Sequence, residues 1–191
     1  MKAVMISIKP EWVEKICDGS KTIEIRKTRP KLECPFKCYI YMTAGKFKNL
    51  GTYSNLIYEN RMKVVAEFIC DNIYFCVADS FKYNKYFINN NFKEKTCLSI
   101  DEIYQYLGND LGCIWHISDL KIYDSPKDIT EFKKENCCYY SKYNITENGV
   151  DAEECCECCV NFDNGYCDGR CSVLTRPPQS WCYVEEKENE F

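Results

Sequence analysis

Histidine is almost absent from this chain, since His116 is the only one among 191 residues. No helix can therefore pair two histidines as metal ligands. The sequence also lacks a glycine-rich phosphate-binding loop and a serine in a nucleophile-elbow motif. It thus contains no motif for a P-loop nucleotide site, a serine hydrolase or a histidine-ligated metal enzyme.

Long apolar runs are missing as well. No stretch approaches the roughly 20 apolar residues that a membrane-spanning helix needs. Lys9, Glu11 and Lys15 interrupt the N-terminal segment where a secretory signal would need an apolar core. With 46% hydrophobic and 28% charged residues, the composition is that of a globular protein. We expect one sizeable domain, alone or with a small appendage, in the cytoplasm and without membrane contact.

Charge is unevenly distributed along the chain. The net charge is −4, but residues 1–50 carry eleven Lys and Arg against five Asp and Glu, a balance of +6. The remaining residues carry fourteen against twenty-four, a balance of −10. Because the chain as a whole is acidic, any site for a polyanion such as nucleic acid is expected to be local and to lie in the first part.

Residues 10–26 combine a helix pattern with a strand pattern. Pro10 suits a first helical turn and Gly19 suits the position after the last, which predicts a helix over residues 10–18. The apolar period then changes to two, which predicts a strand over residues 22–29. We expect two isoleucines of this strand to be buried and the alternate side chains to be displayed.

The displayed side chains form a compact acid–base cluster, made of Lys21 at the turn and Thr22, Glu24 and Arg26 on the strand. One interpretation is a functional site on a rigid strand. The other is an ordinary solvated ion pair between Glu24 and Arg26, which would contribute roughly 0.2–1 kcal/mol.

The pattern Gly-x-Lys-x-x-Glu-x-Arg over residues 19–26, placed after a short helix, resembles the signature of ASCH domains. These domains belong to the PUA-like superfamily of small β-barrels. Three further segments resemble bacterial and phage members of the family: Lys2–Pro10, Trp115–Leu120 and Arg176–Val184. The resemblance covers the chain from residue 1 to about 130 and resumes at residue 176.

The resemblance implies an α+β fold, namely a PUA-like small mixed β-barrel with short flanking helices. This domain would comprise residues 1–132 and 176–191. Residues 133–175, which we call the Cys-rich insert, would then interrupt it just before the last strand.

The resemblance also implies a cleft between helix and barrel that receives RNA or a single modified nucleobase. Glu24 would accept hydrogen bonds from a base edge, and Thr22 lies in the same row. Phosphate contacts would come from Lys21, Arg26, Lys27 and Arg29.

An enzyme in the same cleft is the alternative. Some ASCH relatives hydrolyse 4-acetylcytidine, and others have been linked to RNA cleavage. In the amidohydrolase relatives a threonine nucleophile stands where this chain has Glu24, whereas the lysine is kept as Lys21. The candidate catalytic residues of this chain would therefore be Lys21 and Glu24. Glu24 would then act as a general base on water.

Local patterns predict the remaining elements. Alternation predicts strands over residues 2–8, 38–44, 63–70, 112–123 and 181–184. Ser99 and Glu102 form a capping-box pattern, which predicts a helix that Gly108 ends. A single helical turn is expected over 128–132, whereas residues 79–95 show no clear pattern.

Sixteen cysteines point to metal ligands or reduced thiols, because no export signal accompanies them. In the Cys-rich insert, Cys155, Cys158, Cys167 and Cys171 have spacings that can wrap a tetrahedral zinc ion, with Cys156 and Cys159 as alternative ligands. Iron–sulfur ligation, free thiols and local disulfides remain alternatives. The zinc would be structural, folding a segment that has almost no apolar core. The insert could also dock a protein partner.

Two further residues are weaker candidates. His116 is expected to be a hydrogen-bonded structural residue, unless it shares a face with Glu24. Glu67, on the strand over 63–70, is the best second carboxylate for a site.

Overall fold

Two β-sheets and five short α-helices form the part of the chain that the computed structural model describes, residues 2–45, 59–134 and 173–186. In chain order the elements are β1 (Ala3–Ile8), α1 (Pro10–Cys17), β2 (Ile23–Arg26), β3 (Phe36–Met42), β4 (Val64–Cys70), β5 (Ile73–Cys76), α2 (Ser80–Tyr83), α3 (Lys85–Asn89), α4 (Phe92–Thr96), α5 (Ile100–Leu107), β6 (Gly112–His116), β7 (Ser118–Lys127), β8 (Phe132–Lys134) and β9 (Trp181–Glu186). None of the helices in these ranges has both the length and the apolar character to cross a membrane.

The larger sheet has six strands in the order β7-β4-β3-β1-β9-β8. β1 and β3 run parallel, with Ile6 beside Ile40, and the other pairs are antiparallel. A parallel pair needs a crossover connection, and here α1 and β2 lie within it. β9, predicted as the last strand, pairs with β1 and so brings a distant part of the chain beside the N-terminus.

The smaller sheet has three strands in the order β2-β6-β5. Its face that carries Trp115 packs against the larger sheet and α1, in one hydrophobic core. Its opposite face, with Ile23 and Ile25, packs against the helices between β5 and β6 in a second core. β2 therefore has one face toward the helices and the other toward the larger sheet.

The closed barrel implied by the resemblance is not found among the described residues. The larger sheet ends at β7 on one side and at β8 on the other, and these two edges do not pair with each other. The smaller sheet shares no strand pairing with it. The fold is α+β, as expected, but it consists of two open sheets with helices.

The strand predicted over residues 112–123 is two strands. β6 pairs with β2 and β5, whereas β7 pairs with β4 in the other sheet. The break falls at Ile117, and Asp119 then adopts a φ of 46°. Ser118 and Asp119 are consecutive polar residues, and the apolar positions move from 113, 115 and 117 to 120 and 122. The prediction of a single strand overlooked this change of phase, which coincides with the change of sheet.

Helix predictions from capping residues are confirmed. Ser99 and Glu102 form the expected capping box at the start of α5, and Gly108 follows its end. A short 3₁₀ helix at Ile129–Glu131 matches the single turn expected there. Residues 79–95, which showed no clear pattern, contain α2, α3 and most of α4, each only four or five residues long.

β1 is buried on both faces rather than one. Val4, Ile6 and Ile8 belong to the core between the sheets, while Ala3 and Met5 belong to a third core on the far side of the larger sheet. A central strand covered on both sides explains why the strand is apolar nearly throughout. This position matters for function, since the end of β1 borders the site described next.

Candidate functional site

An open cleft of about 680 Å³ lies where α1, β2, α5 and the segment before β9 meet. Its volume is in the range usual for small-molecule sites. The lining residues are Ser7, Ile8, Lys9, Glu11, Trp12, Lys21, Glu24, Ile25, Arg26, Thr43, Leu98, Glu102, Gln105, Tyr106, Pro177, Pro178 and Gln179. Three of the predicted site residues, Lys21, Glu24 and Arg26, are therefore brought to one cleft.

The turn after α1 places Lys21 beside β2. Gly19 has a φ of +80°, a left-handed conformation that glycine adopts without strain, and it ends the helix as predicted. The Lys21 amide then donates to the Lys15 carbonyl over 2.7 Å, which closes the turn. From there the chain enters β2, so Lys21 lies three residues before Glu24.

Lys21 is only 2% exposed, and its ammonium group has a full set of acceptors. Nζ donates to the carbonyl of Ile23 over 2.7 Å and to that of Thr96 over 2.8 Å. It also lies 3.1 Å from Oε2 of Glu24. An ammonium carries three N–H donors, so all three are occupied. Lys21 thus ties β2 to the end of α4.

Arg26 joins β2 to β1 and to the segment before β9. Nη2 donates to the Ser7 carbonyl over 2.8 Å and lies 2.9 Å from Oε1 of Glu24. Nη1 makes longer contacts of 3.3 and 3.4 Å with the hydroxyl and carbonyl of Ser180. The buried Nε has no acceptor among the described residues, a cost that functional sites often carry.

Glu24 receives one cation on each carboxylate oxygen. Burial opposes its ionisation, but the charges of Lys21 and Arg26 and their hydrogen bonds outweigh burial and lower the pKa of Glu24 below its usual value. Glu24 is therefore ionised at neutral pH. Glu24 lines the cleft, and both cations hold its carboxylate in place.

The hypothesis that Glu24 and Arg26 form an ordinary solvated ion pair is wrong. Lys21, Glu24 and Arg26 are all buried, although alternation predicted that the strand would display the last two. The reason is tertiary: the face of β2 opposite Ile23 and Ile25 is covered by the larger sheet and by the segment before β9. Charges so removed from water must be paired, which is what the geometry provides.

The other predicted nucleic-acid contacts lie outside the cleft lining. The Thr22 backbone bonds to Lys95 and Ile117. Lys27 makes an exposed ion pair of 3.3 Å with Asp110, and Arg29 donates to backbone carbonyls of the loop that follows β2. Lys27 is close to the rim, because its Nζ lies 6.0 Å from the ring centre of Tyr106.

Several residues of the site were missed from the sequence. Ser7 and Ser180 hold Arg26, and the Ser7 hydroxyl donates to the Pro178 carbonyl over 2.7 Å. α5 contributes Gln105 and Tyr106 to the cleft wall. No local signal marks these positions, since only the pairing of β9 with β1 brings residues 177–180 to β2.

His116 and Glu67 do not join the cluster. His116 is paired with Ile23 across the sheet, one position away from Glu24, and its Nδ1 lies 2.6 Å from Asp71. It is hydrogen-bonded, as expected. Glu67 accepts hydrogen bonds from Tyr123 and Lys37, away from the cleft.

The predicted zinc ligands, Cys155, Cys158, Cys167 and Cys171 with Cys156 and Cys159, all lie outside the described residues. Within the described ranges, no three His, Cys, Asp or Glu side chains come together as a metal site would require. Zinc binding by the Cys-rich insert therefore stays a prediction.

Comparison with known proteins gives a structural likeness. No protein-family model matches the chain, and no curated protein matches it. Among solved structures, ASCH from Zymomonas mobilis is similar with a TM-score of 0.49 and 17% identity, over 66% of this chain and 73% of that one. A point variant of the same protein gives 0.49 and 18%, over 68% and 77%. Both structures carry the name of the family that residues 19–26 resemble.

Proposed function

We propose that the cleft binds RNA or a single modified nucleobase. The observation that carries the proposal is the ionised carboxylate of Glu24, which two cations hold in place in a cleft that also has aromatic walls. Base recognition in single-stranded RNA needs hydrogen-bond acceptors or donors for the base edge together with aromatic rings for stacking. Trp12 and Tyr106 supply such rings. The motif of residues 19–26, which resembles ASCH domains, supports the same proposal.

The charge of the cleft favours a base over a phosphate at its centre. Its lining has three cations and three carboxylates, namely Lys9, Lys21, Arg26, Glu11, Glu24 and Glu102. Lys21 and Arg26 are already committed to Glu24. Phosphates would accordingly be contacted from the rim, where Lys27 lies, and binding would weaken with salt.

Catalysis in the same cleft has less support from the geometry. Three acceptors already surround Nζ of Lys21, so no donor of this group is left to contact a substrate. Glu24 has a lowered pKa, which makes it a weaker general base. Hydrolysis of 4-acetylcytidine or cleavage of RNA remains the alternative, and either reaction would release a detectable product.

A structural zinc ion in the Cys-rich insert is a separate proposal that rests on the spacing of Cys155, Cys158, Cys167 and Cys171. We expect about one zinc per chain after purification under reducing conditions, measured by elemental analysis. Its loss in a Cys155→Ser, Cys158→Ser double variant would support it, and metal-free wild-type protein would overturn it.

Titration of the purified chain with a labelled single-stranded RNA of mixed sequence tests the proposed function. Tyr106 lines the cleft and is 40% exposed, whereas Tyr83 is 65% exposed and lies outside it. Stacking on one base contributes roughly 1–3 kcal/mol by alanine substitution, so Tyr106→Ala should weaken binding about 5- to 160-fold. Tyr83→Ala, the matched control, should leave it unchanged.

A parallel incubation with free nucleosides, including 4-acetylcytidine, addresses the alternative by mass spectrometry. We expect binding without a new product. A deacetylated product that requires Glu24 would replace the binding proposal with the hydrolase. If the wild-type chain binds neither RNA nor any nucleoside, the proposed function is wrong.

A further inference from the structure

We infer that Glu24 makes the cleft selective for guanine, an inference that rests on the proposed function that the cleft binds a nucleobase. Guanine presents two adjacent N–H donors, on N1 and N2, along one edge. A carboxylate with a vacant acceptor position on each oxygen can receive both of them at once. The geometry around Glu24 provides such a carboxylate.

The Glu24 carboxylate has more acceptor positions than its two cations occupy. The two oxygens of a carboxylate offer about four acceptor positions in total. Lys21 uses one on Oε2 and Arg26 uses one on Oε1. Among the contacts of the described residues, each oxygen is thus left with one position for a ligand, and Glu24 lines the cleft.

Glu24 must be ionised to accept two hydrogen bonds from a base. A neutral carboxyl group would offer one donor and would not pair with two N–H groups. The neighbouring cations lower the pKa of Glu24, so the group accepts hydrogen bonds only, throughout the neutral range. Because Lys21 and Arg26 also fix its orientation, the Glu24 side chain loses little conformational freedom when a base binds.

The other bases fit this acceptor pair less well. Adenine and cytosine each place a ring-nitrogen acceptor beside their amino group, and that lone pair would face the second carboxylate oxygen. Uracil has a single imide N–H between two carbonyl oxygens, which the carboxylate would repel. Guanine alone among the four standard bases offers two neighbouring donors, and hydrogen bonds to an ionised acceptor are about twice as strong as neutral ones.

The test is a competition titration of the full-length chain with nucleoside monophosphates. A well-made bidentate pair discriminates among bases by roughly 1–3 kcal/mol, so guanosine monophosphate should bind about 5- to 160-fold more tightly than the adenosine, cytidine and uridine analogues. Inosine monophosphate lacks the N2 amino group, and 1-methylguanosine monophosphate lacks the N1 proton. Both should lose most of the preference.

Glu24→Gln supplies the protein side of the test, since an amide offers one acceptor and one donor in place of two acceptors. We expect it to lose the preference for guanine. Glu67→Gln is the matched control, because the Glu67 carboxylate also pairs with a lysine and its side chain is only 17% exposed, but it lies away from the cleft. The inosine and 1-methylguanosine analogues keep the test decisive even if the Glu24 variant fails to fold.

The outcomes separate this inference from the proposed function. Equal affinity for all four monophosphates, or full affinity for inosine monophosphate, overturns the selectivity for guanine and leaves the binding function standing. Absence of binding to every nucleotide and to RNA overturns the proposed function itself.

Discussion

Lys21→Met is the substitution that most directly tests whether the charged cluster is the buried network described above. Methionine retains much of the length of the lysine side chain but removes the ammonium group. The carbonyls of Ile23 and Thr96 would each lose a donor, at 2.7 and 2.8 Å. Glu24 would lose one of its two cations while remaining buried.

The expected cost follows from the burial of the pair. Removal of one partner from a buried ion pair typically destabilises a protein by about 3–5 kcal/mol, because the other charge is left uncompensated. Arg26 still pairs with Glu24 in this variant, so we expect a loss of unfolding free energy at the lower end of this range, about 3 kcal/mol. The control is Lys27→Met, whose pair with Asp110 has side chains 50% and 71% exposed. An exposed pair of this kind contributes at most about 1 kcal/mol.

Urea unfolding under reducing conditions measures both variants. Their midpoints can be compared directly if the slope of the unfolding free energy with urea is the same as in wild type. We expect the midpoint of Lys21→Met to fall clearly below that of Lys27→Met. A loss of less than about 1 kcal/mol for Lys21→Met would mean that water reaches Nζ, and the assignment of Lys21 as a buried positioning residue would then be wrong.

Two further predictions concern the same network. The folded-state pKa of Glu24 lies below the ordinary value of 4.5, so its ionised form stabilises the fold above that pH. This contribution is lost as the pH falls through the folded-state pKa. Glu24→Gln should therefore flatten the acid limb of an unfolding profile measured from pH 7 to 3. In a double-mutant cycle, Lys21→Met with Glu24→Leu should cost about 0.5–3 kcal/mol less than the two single variants added together, and strict additivity would show that the side chains do not interact.

Local signals were sufficient to predict the elements around the site. Proline and glycine bracket α1, and a capping box opens α5. The change of period after residue 21 predicted a strand, although β2 is shorter than expected, Ile23–Arg26 instead of 22–29. These features depend on neighbours within a few residues, so a single sequence contains the information.

Long-range pairing could not be predicted in the same way. Glu24 and Arg26 alternate with buried isoleucines, and this pattern normally indicates a face toward water. The face is covered because β9 pairs with β1 and brings Ser180 to Arg26, across more than 150 residues of chain. The change of sheet between β6 and β7, in contrast, coincides with a local signal that the single-strand prediction overlooked, since alternation changes phase at the consecutive polar residues Ser118 and Asp119.

The burial of three charges is better explained by the site than by stability. Apolar residues of similar volume often stabilise a fold as well as a buried ion network does. What a network adds is orientation. Lys21 is fixed by two carbonyls and Arg26 by Ser7, so the carboxylate between them is held in one orientation. Of the three groups, only Glu24 has acceptor positions left for a ligand. The spacing Lys-x-x-Glu-x-Arg thus presents one ionised carboxylate to the cleft while both cations are already committed to holding it.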